Sequence, residues 1–199
     1  MYTAAHPLHR LRYIVQTMTR LSDQGLNEPA LLAEATPLMR DLIANDDWLP
    51  AALAQPDPTF YRQYLLHADP LGRFSIVSFV WGPGQQTPVH DHTVWGLIGM
   101  LRGAEFSQPY VAVDDGALVP AGDAHRLEPG DVEAVSPTLG DIHQVRNAFA
   151  DQVSISVHMY GGNIGEIRRH VFDTPTGRAK PFVSGYSNAM VPNLWGPAP

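Results

Sequence analysis

The sequence predicts a mostly β fold, a small sandwich or barrel, entered through a short helical arm. Three observations carry that expectation. From residue 60 onward, short stretches rich in Val, Ile, Phe and Tyr are cut by Asp69-Pro70, Gly82-Pro83-Gly84, Asp114-Asp115-Gly116, Pro129-Gly130-Asp131 and Gly161-Gly162. Strands broken at such intervals suit an antiparallel architecture rather than alternating βα units. Before residue 55 the apolar residues instead recur at three- and four-residue steps, the helical period. Finally, 44% hydrophobic and 17% charged residues, with 17 Gly and 18 Pro, exclude disorder and fit a turn-rich chain.

The elements follow in order. Leu8, Leu11, Val15, Met18 and Leu21 line one face of a first helix. Asn27 is placed to cap a second that opens at Pro29, because proline suits the first helical turn. A separate short piece is expected over 37–44, with Leu38, Leu42 and Ile43 on one side. The 199 residues are expected to form one domain: a helical arm over 1–55, a barrel over 60–185 and a surface tail over 186–199. The net charge of -7 comes with only 13 bases, nearly all scattered arginines, so no basic stripe offers itself to nucleic acid. The longest apolar run, 94–101, is far short of the ~20 residues of a spanning helix, so no membrane partner is expected. His9, Arg10, Arg12 and Arg20 interrupt the place of a signal peptide's apolar stretch, which makes a cytoplasmic protein the default expectation. No sequence feature bears on oligomeric state.

Cysteine is absent, which removes disulfides, thiolate ligands and a cysteine nucleophile. A transition metal would have to be held by imidazole or carboxylate. Among nine histidines, His90-Asp91-His92 stands out. In a strand, alternation sets both imidazoles on one face and Asp91 on the other. Flanked by Thr87-Pro88 and Thr93, the same residues could equally form a solvated turn. Further on come Gly130, Pro137, Gly140, His143 and Asn147.

Gly84, the HxH pair and Gly103, followed by Gly140-Asp-Ile-His143 and Asn147, resemble the two signatures of the cupin superfamily over about residues 84–147. The resemblance implies a mostly β cupin barrel with metal ligands His90, His92 and His143. One departure matters chemically. Gly96 stands where the pattern has a glutamate ligand, so the implied set is three neutral histidines. Without a carboxylate the ion keeps both charges, which favours an anionic ligand such as a thiolate; three histidines also suit zinc.

A second likeness extends from Phe60 to Tyr186. The segments 61–66, 81–84, 90–93 and 156–160, with the Arg168-Arg169 pair, resemble thiol dioxygenases of the cysteine dioxygenase family, non-haem iron enzymes that oxidise a thiol to a sulfinate with O2. Ser156, His158 and Tyr160 alternate along a strand. Read alone they could be the solvent face of a half-buried strand; the resemblance implies a relay facing the metal. Animal-type members carry a cysteine that cross-links to this tyrosine, and here none exists. They also use an arginine on the substrate carboxylate where this chain has Gln63. Bacterial relatives with this glutamine resemble 3-mercaptopropionate dioxygenases, which recruit an arginine from a later strand. Arg169 is the candidate, with Arg168 expected to point away, and a surface cation near Glu166 is the competing reading. The implied reaction is therefore Fe(II)-dependent oxidation of 3-mercaptopropionate by O2 to 3-sulfinopropionate. L-cysteine is the rival substrate and a non-catalytic metal-binding cupin the rival class. Trp81, Trp95 and Trp195 are candidate pocket walls, and His6, His9, His67, His125 and His170 are expected to be structural.

Overall fold

The computed structural model describes residues 8–196; His6 lies outside them. Two helices come first, α1 (His9–Asp23) and α2 (Glu28–Ile43), followed by a short 3-10 turn at Ala51–Leu53. Eleven strands make up the remainder: β1 (Arg62–Ala68), β2 (Ser75–Trp81), β3 (Gly96–Arg102), β4 (Glu105–Ala112), β5 (Leu118–Pro120), β6 (His125–Leu127), β7 (Val132–Val135), β8 (His143–Asn147), β9 (Ser154–Tyr160), β10 (Arg169–Asp173) and β11 (Arg178–Phe182). One sheet runs in the order β1-β2-β9-β3-β7, and a second sets β4 among β5, β6 and β8. All strand pairs are antiparallel. This is the mostly β architecture expected, with helices at its N-terminal end.

The first helix buries the face its periodicity marks, with Leu11, Val15, Met18 and Leu21 inside. Asn27 caps α2, its Oδ1 accepting from the Ala30 amide at 3.1 Å. The separate piece expected over 37–44 does not form, because α2 continues through Pro37. Proline there removes the bond to the Ala33 carbonyl, a loss that ordinarily breaks a helix. Burial of Leu32 and Ala35 before it and Met39, Leu42 and Ile43 after it outweighs that loss. Trp48 then closes the end, its Nε1 donating to the Leu42 carbonyl at 2.8 Å.

Both helices lie on the outer face of the first sheet. Their apolar side chains form one cluster with Ile76, Val80, Leu97, Ile155, Val157 and Met159. Gly99 permits the close approach: a Cβ there would sit 2.9 Å from the Met39 side chain and 3.0 Å from Ile43. The tail does more than lie on the surface. Asn188 bonds both the amide and the carbonyl of Leu65, and Ser187 does the same for Gln63, so the tail runs along the free edge of β1. Leu194 beyond it is buried in the helical cluster.

Candidate metal centre

Facing the other way, the inner side of the first sheet meets the second sheet across a cavity of about 210 Å³. His90, His92 and His143 line it, all buried, with potential ligand atoms within 4.8 Å of one another. His90 and His143 are brought together by the chain itself, because each backbone amide donates to the other's carbonyl at 3.0 Å. The HxH segment is not the regular strand expected. His90 sits on isolated bridges to His143 and Val171, and the backbone then turns through Thr93, whose φ is 60°. Asp141 holds this bend: its carboxylate accepts from the backbone amides of His92 at 3.0 Å and Thr93 at 2.8 Å.

Each imidazole is also oriented from behind. His90 Nδ1 meets the Pro88 carbonyl at 3.0 Å, His92 Nδ1 the Asp141 carboxylate at 2.9 Å and His143 Nδ1 the Ser107 hydroxyl at 3.1 Å. A carbonyl or carboxylate can only accept, so the hydrogens of His90 and His92 reside on Nδ1 and their Nε2 lone pairs face the centre. Burial pushes the His90 pKa down to about 3 and holds His143 well below its ordinary value, in each case helped by the neighbouring rings. Asp141 stays ionised, held low by its bonds to His92 and Thr93 against the opposing effect of burial. Three oriented nitrogen donors in a dry pocket are a donor set that fits a divalent transition metal.

Among the described residues no carboxylate joins them. A Cβ on Gly96 would lie 3.0 Å from two carbons of the Tyr160 ring and 3.1 Å from Val135. The Tyr160 ring occupies that space and stacks on His92 at 5.4 Å between centroids.

A family model, cysteine dioxygenase type I, matches residues 12–173. The chain belongs to the cysteine dioxygenase type I family. A curated relative, cysteine dioxygenase type 1 of Danio rerio, is 27% identical over 150 residues, covering 72% of this chain and 71% of that one. Among solved structures, a double-stranded β-helix protein of Klebsiella pneumoniae is 18% identical with a TM-score of 0.44, over 56% of this chain and 86% of that one. A cupin superfamily protein of Desulfitobacterium hafniense is 16% identical with a TM-score of 0.43, over 60% of this chain and 94% of that one. Membership makes this chain one of a family of non-haem iron thiol dioxygenases, consistent with the histidine centre.

Around that centre the family member assembles the remaining residues singled out above. Ser156, His158 and Tyr160 face the cavity side, not solvent, and every residue of β9 is buried. Ser156 Oγ lies 2.8 Å from His158 Nε2, and His158 Nδ1 lies 2.8 Å from Tyr160 Oη. Burial pushes the phenol pKa up and that of His158 well down, so both are neutral. Arg169 is only 3% exposed and lines the pocket, which overturns the surface-cation reading, while Arg168 is exposed. Its Nη2 donates to Ser184 at 2.7 Å, its guanidinium stacks on Phe182 at 4.7 Å, and its Nε has no partner among the described residues. Gln63 Nε2 donates to Ser184 Oγ and to the Gly185 carbonyl, both at 3.0 Å. Trp81 walls the pocket; Trp95 packs over Gly161, and Trp195 is exposed beneath Arg12. Asp91 turns outward and accepts from the His170 amide at 2.7 Å and ring at 2.8 Å, tying β10 to the histidine loop.

Residues that sequence reasoning missed are Asp141, Ser107, Ser184 and Glu105. Asp141 had a local signal, two positions before His143. Ser184 had none, and Glu105 lies 51 residues from Ser156, whose hydroxyl it meets at 2.9 Å.

Proposed function

We propose that the protein is an Fe(II)-dependent thiol dioxygenase that converts 3-mercaptopropionate and O2 to 3-sulfinopropionate. The observation that carries this reading is Arg169: a buried guanidinium with an unpartnered Nε and no ion-paired carboxylate among the described residues, in the pocket of the three histidines. A buried charge without a counter-ion is costly, and a ligand carboxylate relieves it. Burial holds the Arg169 pKa below its usual value, opposed by Tyr160, Tyr61 and Asp91, and a carboxylate would raise it.

Among the described residues nothing acidic lines the pocket to receive an α-ammonium group, which favours 3-mercaptopropionate over L-cysteine. Asp91, the acid nearest in influence to Arg169, already accepts from His170. Gln63 is neutral and its amide hydrogens are committed to Ser184 and Gly185, so it braces the arginine and adds no charge of its own.

Iron, held by His90, His92 and His143, would supply thiol ionisation and oxygen activation. The chain does the rest. Arg169 anchors the carboxylate so that sulfur lies toward the histidines. Phe79, Trp81, Val145 and Val171 keep the cavity dry, which strengthens each polar contact within it. Tyr160, fixed by His158, presents its phenol to oxygen atoms gained by sulfur. The balance is one thiol and one O2 giving one sulfinate and one proton.

Oxygen uptake by the Fe(II)-loaded protein, with the sulfinate identified, tests this directly. A higher kcat/KM for 3-mercaptopropionate than for L-cysteine, lost in Arg169→Ala, is expected. Preference for L-cysteine would overturn the carboxylate assignment. Uptake with neither thiol, iron remaining bound, would leave the non-catalytic cupin.

A further inference from the structure

The hydrogen-bonded row does not end at Ser156. Its hydroxyl also contacts Glu105 Oε2 at 2.9 Å and accepts from Trp81 Nε1 at 3.1 Å. Glu105 is fully buried on β4, and its Oε1 has no partner among the described residues. Four groups thus form one chain from the cavity inward: Tyr160, His158, Ser156, Glu105.

We infer that Glu105 is a proton-holding positioning residue whose protonation sets the direction of the whole chain, and so whether Tyr160 offers its hydrogen to the cavity. This rests on the proposed function only in assigning Tyr160 a role in turnover. The hydrogens available along this row fix its two states. Trp81 can only donate, and the Ser156 hydroxyl owns a single hydrogen. If Glu105 is the neutral acid, it donates to Ser156, Ser156 donates to His158 Nε2, and His158 donates from Nδ1 to Tyr160. The phenol hydrogen is then free to point into the cavity. If Glu105 is ionised, it takes the Ser156 hydrogen. His158 must then carry its hydrogen on Nε2 and accept from Tyr160 at Nδ1, so the phenol turns its hydrogen away. A proton passed from Tyr160 to an acceptor in the cavity converts the first state into the second: His158 resupplies Tyr160, Ser156 resupplies His158, and Glu105 resupplies Ser156. One proton leaves and Glu105 ends ionised.

The surroundings make that acid ionise near neutrality. Burial pushes its pKa up to about 8, opposed by the Ser156 and Trp81 bonds and reinforced by Glu133. Glu133, on β7, has its own Oε2 buried and without a partner among the described residues, and turns Oε1 toward the exposed His125 at 3.1 Å. From β9 the titratable neighbours are His158 and Tyr160, and Glu105 in turn raises the phenol. Asn147 on β8 and Leu127 on β6 stand opposite Glu105 and are uncharged. Arg146 and Arg126 stack on Phe106, which alternation turns to the other face of β4.

The test is the tautomer of His158, read by 15N NMR of the full, metal-free chain with labelled histidine across about pH 6–10, the range in which a buried glutamic acid titrates. Infrared spectroscopy follows the protonated carboxyl band in parallel. The expected result is an Nδ1–H imidazole at low pH that becomes Nε2–H as the carboxyl band disappears. Glu105→Gln should show one tautomer at every pH and lack the band. A single tautomer in the wild type while the band titrates, or the same tautomer change persisting in Glu105→Gln, overturns the inference. So does a carboxyl band absent throughout. The wild-type titration decides even if the variant fails to fold. Because no thiol is present, failure of the dioxygenase reading would appear only in the oxygen assay. With iron and substrate, Glu105→Gln should also remove the wild-type change in kcat with pH while leaving KM unchanged.

Discussion

The two faces of the central sheet are built from the same strands and do opposite things. Along β9, Ile155, Val157 and Met159 enter the helical cluster, while Ser156, His158 and Tyr160 form a polar row one residue out of phase. Both faces are buried, yet the outer one is filled with side chains that need only shape and the inner one with groups that need partners. The comparison teaches that burial here does not separate structure from function. What separates them is whether a buried atom is satisfied within the chain or left facing the cavity.

If that division holds, substitutions on the two faces should break different observables. The largest effect belongs to the inner face: His143→Ala should reduce bound iron, and with it oxygen uptake, to background, as measured by metal analysis after dialysis. On the outer face, Met39→Ala should cost about 2–5 kcal/mol of stability in denaturant unfolding, with kcat/KM per folded molecule unchanged. Arg169→Met should do the reverse. Losing a charge-assisted contact of about 1.5–3 kcal/mol lowers kcat/KM for 3-mercaptopropionate roughly 10- to 150-fold. Its melting temperature should hold or rise, because the removed charge has no ion pair. Asp141→Asn, which weakens the grip on His92, should lower iron affinity about 10- to 100-fold without altering the fold seen by circular dichroism.

The smallest effect sharpens the comparison through pH. Glu105 has its pKa raised in the fold from 4.5 to about 8. Below the unfolded value both states hold the proton. Between the two values the unfolded chain releases it while the native protein retains it, so this group's stabilising contribution is lost as pH rises. Glu105→Gln removes that slope. The melting temperature of the variant relative to wild type should therefore climb from pH 5 to pH 8, and a flat difference would count against the raised pKa.

The legible parts of the molecule were those written in spacing. Histidines at 90, 92 and 143 and the 156-158-160 alternation could be read along the chain because their neighbours in space are set by local geometry or by matched motifs. The two-residue period of a strand said that Arg168 and Arg169 face opposite ways, while which of them enters the pocket is settled by the burial of Arg169. The partners that orient these groups were not legible. Ser107 and Glu105 reach the site from β4 and Ser184 from the segment after β11, and nothing in their flanking residues differs from an ordinary surface position. Pro37 misled for a related reason: its local penalty is visible in sequence, while the burial of Met39 and Ile43 against Gly99 that overrides it is not.

Gly96 has a wider consequence. A carboxylate ligand at that position and a phenol over the histidines compete for a single volume, since even a methyl group there meets the Tyr160 ring at 3.0 Å. The two designs, one with a charge-neutralising ligand and one with a phenol beside the histidines, therefore crowd each other on this scaffold. Passing from one to the other asks the Tyr160 ring to give way, so a lone Gly96→Glu change should shift that ring off His92.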